Sequence, residues 1–98
     1  MTSTSHTYRS LATIARDIRR NWNNVYFGAV PYLSAMNSLD TMTDNYGQDS
    51  AKSVVAYFLS NAATWRGPMA KAIKVELNAM LKGKPYVFER SREINPYA

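Results

Sequence analysis

Cysteine is absent from this 98-residue chain. Its absence excludes disulfides, thiol nucleophiles and thiolate metal sites together, and it fits a reducing compartment. Histidine is nearly absent. His6 is the only one, in a polar N-terminal stretch expected to fray. Without a placed imidazole, Ser/His and Cys/His nucleophile arrangements lack their components. Glycine is scarce, and Gly28, Gly47, Gly67 and Gly83 stand alone, so there is no glycine-rich phosphate loop. No apolar run approaches the roughly 20 residues a membrane span needs. Residues 1–7 hold no apolar stretch of the secretory-signal kind. These absences predict a cytoplasmic protein with no membrane partner, no cofactor and no metal, and one that is not an enzyme.

What is present suits one small domain. The chain is 46% apolar, 12% aromatic and 19% charged, a globular composition of a length that builds one modest core. The formal net charge is +5, but it is unevenly spread. Residues 1–24 carry Arg9, Arg16, Arg19 and Arg20 against Asp17. Residues 25–50 carry only Asp40, Asp44 and Asp49. Residues 51–98 are basic again. A basic, acidic, basic order suits nucleic acid less well than a uniformly basic chain, and suits a protein partner or a second copy equally.

Hydrophobic periodicity predicts an all-α fold, a compact four-helix bundle. A flexible N-terminus covers 1–7, the helical domain 8–83, and an irregular tail 84–98. The first helix spans about 8–23, capped by Thr7 or Ser5, with Leu11, Ile14, Ala15, Ile18 and Trp22 on one face. Residues 25–30 read as a turn or helical lead-in. The second helix starts near Pro31, a residue suited to a first helical position, with Tyr32, Met36, Leu39 and Met42 as its apolar face. Residues 44–47 break it. Asp49 caps a third helix over 50–63, with Ala51, Val54, Val55, Phe58, Leu59 and Ala62 toward the core. Its back face, Ser53, Ala56, Tyr57 and Ser60, has no charge, which marks a candidate contact between copies. The fourth helix runs from Pro68 to Lys82 and stops at Gly83.

Two basic faces are the candidate sites for phosphate or an acidic protein surface: Arg9, Arg16 and Arg20 on the first helix, and Lys71, Lys74 and Lys82 on the fourth. An amphipathic helix also exposes such a face for solvation alone. Trp65 and Arg66, in the turn before Pro68, are residue types that anchor interfaces, although Trp65 better suits closing one end of the core. The third and fourth helices have roughly helix-turn-helix lengths, but the start of the fourth offers only Lys71 to a base edge. The aromatic residues sit mostly at core spacing, which argues against stacking platforms. The spacing of Asp40, Asp44 and Asp49 fails that of a calcium loop and fits turns and caps. Glu76 falls inside the apolar arc of the fourth helix. It requires a buried partner, for which Arg66 or a tyrosine hydroxyl are candidates, or a solvated edge position.

Residues 24–36, NVYFGAVPYLSAM, together with Thr64-Trp65-Arg66-Gly67 and Lys71-Ala72-Ile73-Lys74, resemble small uncharacterised proteins of tailed bacteriophages, particularly phages of actinobacteria. The resemblance spans about 10–82. It implies a phage accessory protein made in the bacterial host's cytoplasm, and it assigns no activity or functional residue. The expected function is thus non-catalytic binding of a host or phage macromolecule, foremost a protein, to modulate host machinery. Nucleic-acid binding through the basic faces is one alternative. Self-assembly as a virion or structural component is the other.

Overall fold

The computed structural model describes residues 8–84. The expected N-terminal segment, His6, the Thr7 or Ser5 cap and all but the first residue of the tail lie outside that range. Within it the chain is mainly helical: α1 (Leu11–Asn21), a 3-10 turn (Phe27–Ala29), α2 (Val30–Met36), a two-stranded hairpin of β1 (Asn45–Tyr46) and β2 (Asp49–Ser50), α3 (Ala51–Ser60) and α4 (Pro68–Lys82). Helix α1 packs against α2 and α4, and α3 packs against the same two.

Local chemistry sets each boundary. Ser10, not Thr7 or Ser5, caps α1, its hydroxyl accepting from the Thr13 N–H at 3.1 Å. The first two N–H groups of α1 have no partner within the helix. Those of Leu11 and Ala12 donate to the carbonyls of Asp40 and Leu39, both at 3.0 Å. The loop after α2 is thereby tied to the start of α1. Helix α2 ends at Met36, earlier than its apolar pattern implies, so Leu39 is buried from a loop and Met42 packs against the core from one. The lead-in over 25–30 contains the 3-10 turn.

The hairpin is an addition to the all-α expectation. Asn45 pairs with Ser50 and Tyr46 with Asp49, antiparallel, across Gly47 and Gln48. Gly47 has φ 61, and among the described residues only glycines take positive φ, the pattern of a type II′ turn with glycine first. The cap of α3 is Ser50, one residue beyond Asp49, its hydroxyl accepting from the Ser53 N–H at 3.1 Å. Asp49 belongs to the strand. The bounds of α4 match the expected ones. The Gly83 N–H donates to Met80 at 3.2 Å, and the Lys84 N–H to Ala79 at 2.9 Å. With Gly83 left-handed at φ 70, this is a Schellman stop.

The core runs through all four helices. Leu11, Ile14 and Ile18 of α1 meet Leu33 and Met36 of α2, Val55 and Phe58 of α3, and Ile73 and Leu77 of α4. Each such side chain contributes about 1.5–3 kcal/mol over an exposed one. At one end Trp22 lies edge-on to Phe58, ring centroids 6.2 Å apart, and stacks on Trp65 at 5.6 Å with 12° between planes.

Candidate functional site

The turn between α3 and α4 builds a groove on the described surface. It is an open groove of about 670 Å³, with Ala63, Pro68, Ala70 and Val75 among its apolar walls. Among the described residues that line it, Arg66, Lys71 and Lys74 are the cations and none is a carboxylate. Local sequence places them. Gly67, at φ 113, makes the bend that Pro68 turns into helix. Arg66 then stands just ahead of α4, with Lys71 and Lys74 in its first two turns. The first turn has no acidic residue and no side-chain cap, so positive charge accumulates at the positive end of the helix dipole.

Lys74 is the fixed member of this group. Its ammonium donates to the Trp65 carbonyl at 2.7 Å. Burial holds its pKa below the ordinary lysine value, and the charge of Arg66 lowers it further. Arg66 and Lys74 therefore repel each other in the groove. A carboxylate or another oxyanion entering there relieves that repulsion.

The structure places Trp65 in the core. Only 3% of it is exposed. Besides stacking on Trp22, its indole N–H donates to the Asn21 carbonyl at 3.3 Å. Trp65 closes the core and forms a wall of the groove; it does not project as an anchor. Arg66 is exposed.

The basic faces divide differently from the sequence pattern. Arg9 precedes α1, and its guanidinium is committed to carboxylates. Its Nε and Nη2 donate to the two oxygens of Glu76 at 2.9 and 2.8 Å, and its Nη1 to Asp17 at 2.5 Å. Burial opposes the charge of Arg9, but the hydrogen bonds and charges of Glu76 and Asp17 outweigh it and raise the pKa. Glu76, 1% exposed, thus pairs with Arg9 rather than with Arg66 or a tyrosine. Arg16 and Arg20 remain exposed on α1, with Arg20 3.7 Å from Asp17. Lys82 is exposed roughly 16 Å along α4 from Lys71, at 1.5 Å per residue. The groove therefore unites Trp65, Arg66, Lys71 and Lys74, and leaves Arg9, Arg16, Arg20 and Lys82 elsewhere.

Ser53, named for the oligomer face, is half-buried, and its N–H donates to the Ser50 cap. Ala56, Tyr57 and Ser60 are exposed. Asp44 holds a loop: its carboxylate accepts from the N–H groups of Thr41 at 3.0 Å and Asp40 at 2.9 Å. These bonds, that of Thr41 first, hold its pKa below the usual carboxylate range. Among the described residues no cluster of three or more His, Cys, Asp or Glu is arranged to hold a metal ion, and no helix is long and apolar enough to cross a membrane. No family model matches this chain, and no curated protein or solved structure matches it either.

Proposed function

We propose that this chain is a non-catalytic binding protein whose Ala63-to-Asn78 groove takes an acidic segment of a partner protein. The observation that carries the reading is the convergence of Arg66, Lys71 and Lys74 on one groove with apolar walls. The apolar walls favour a protein segment over a nucleic acid. Three cations in a compact cluster suit one or two carboxylates beside apolar contacts, whereas a nucleic acid rewards cations spread along successive phosphates. Arg9, which a longer basic track would need, is held by Glu76 and Asp17. The groove's side chains are suited to holding an acid rather than transforming one. The contacts of α1 and α3 with both α2 and α4 support a four-helix bundle as the frame for such a site. The resemblance to phage accessory proteins supports a setting in the bacterial cytoplasm, with a host regulator or enzyme as partner.

The test uses an acidic, amphipathic peptide and a single-stranded oligonucleotide as probes of the full chain. Tryptophan emission reports occupancy, because Trp65 walls the groove. The expected result is saturable quenching by the peptide, weakened about tenfold or more by Arg66→Glu with Lys71→Glu. Equal binding by the charge-reversed variant, or tighter binding of the oligonucleotide, overturns the reading.

A further inference from the structure

Acids of the kind expected of a partner also occur in the chain itself. Residues 85–98 follow α4, the helix that carries the cationic groove, and lie outside the described residues. Tyr86, Val87 and Phe88 directly precede Glu89, and Ile94 directly follows Glu93, so each acid stands beside apolar side chains. Residues 1–7 contain no acid, which leaves Glu89 and Glu93 as the carboxylate side chains outside the described range. The start of this segment is fixed. The Lys84 N–H donates to the Ala79 carbonyl at 2.9 Å, and the Lys84 carbonyl accepts from the Tyr8 hydroxyl. Pro85 has no N–H with which to continue a helix.

From that point a track leads back to the groove. Lys71, Val75, Asn78 and Lys82 follow the i, i+4, i+7, i+11 spacing of one helix face, and all four are exposed. The first three line the groove. Val75 is 46% exposed, an apolar side chain on that otherwise polar face. Lengths match as well. Lys74 and Lys71 stand ten and thirteen residues before Lys84, about 15 and 20 Å at 1.5 Å per residue. Glu89 and Glu93 stand five and nine residues after it, up to about 17 and 30 Å of extended chain.

We propose that residues 86–93 fold back along this face as an internal occupant of the groove. Phe88 covers Val75 and Glu89 meets Lys74, so the chain holds its own site closed until an acidic partner displaces the tail. This closure presupposes a groove that takes acidic segments, as proposed for the partner. Tethering selects the occupant. A segment joined to the helix it covers has an effective concentration in the millimolar range, whereas a separate protein must find the groove from solution. Arg90 and Arg92 lie between the two acids and meet the groove's cations unfavourably. They keep the contact weak, so a partner with more acids and no adjacent arginine displaces it.

Two measurements on the full chain test this. Zero-length carbodiimide cross-linking with peptide mass mapping should join Glu89 to Lys74 or Lys71 within the 11.1 kDa species, and Glu89→Gln should abolish that link. Cross-links from Glu89 confined to Lys82 and Lys84, its neighbours in sequence, overturn the proposal. So does a link to Lys74 found solely at twice the monomer mass, which makes a second copy the occupant. The acidic peptide supplies the second readout, through tryptophan emission. Phe88→Ser with Glu89→Gln should tighten its binding about five- to tenfold, the factor by which a mostly closed site lowers apparent affinity. Phe88→Ser alone leaves the net charge unchanged and should tighten it by a smaller factor. Equal affinity of the wild type and the double variant overturns the closure. A peptide that binds neither chain refutes the partner reading instead, and the cross-link map then decides the tail alone.

Discussion

Removing Arg9 tests how the helices are held. Arg9→Ala leaves Glu76 at 1% and Asp17 at 6% exposure, two carboxylates without their guanidinium in the core. Breaking a buried ion pair by deleting one partner costs about 3–5 kcal/mol. Two features reduce that here. The Arg9 side chain keeps 21% exposure, and Arg20 stays 3.7 Å from Asp17. The expected loss is therefore about 2–4 kcal/mol, a large share of the ~5–15 kcal/mol typical of a domain. At about 4–8 °C per kcal/mol for a chain of this size, melting falls on the order of 10–25 °C. Urea denaturation followed by far-ultraviolet circular dichroism measures it. Arg9→Met combined with Glu76→Leu should recover most of the loss, because an apolar pair of similar volume avoids burying charge. If Arg9→Ala costs under about 0.5 kcal/mol, the ion network does not hold α1 to α4.

Three further outcomes follow from the packing. Trp65→Ala should cost about 3–5 kcal/mol through the cavity beside Trp22, while Trp65→Phe should lose clearly less; chemical denaturation compares them. Gly83→Ala should destabilise by about 1–2 kcal/mol from backbone strain alone, since nothing lies within 4 Å of a Cβ at that left-handed residue; a melting series with Lys84→Ala as control measures it. Asp44 has a lowered folded pKa, so the unfolded chain takes up its proton first as pH falls. Its contribution is complete above the usual carboxylate range and is lost as pH drops through the depressed value. Asp44→Asn should therefore flatten the acid limb of a stability-against-pH curve and leave stability near pH 2 little changed.

Much of the helical framework is legible in the sequence, for reasons that can be named. Pro68 and Gly83 bracket α4 because one fits a first helical turn and the other a left-handed stop. The α1 face from Leu11 to Ile18 is set by its spacing. The hairpin over 45–50 escaped because two residues per strand are too few for an alternating pattern. The caps moved by a few residues because Ser10 and Ser50 compete with equally suitable neighbours.

The candidate site was legible in part. Trp65, Arg66, Lys71 and Lys74 were individually conspicuous, and a single turn brings them together. Arg9 looked like part of a helical stripe because a repeat cannot reveal that the helix begins at Leu11. Its true role had one signal, the acid Glu76 on the core-facing arc of α4; Asp17 lies outside the apolar arc of α1. Only packing joins residues 67 positions apart.

The most direct test of the groove as a binding site is a chemical-shift titration of the ¹⁵N-labelled full chain with the acidic peptide. The expected perturbations centre on Arg66, Gly67, Met69, Lys71 and Lys74, and Arg66→Glu with Lys71→Glu abolishes them. Perturbations centred on Arg16 and Arg20, or none at saturating peptide, would contradict the assignment.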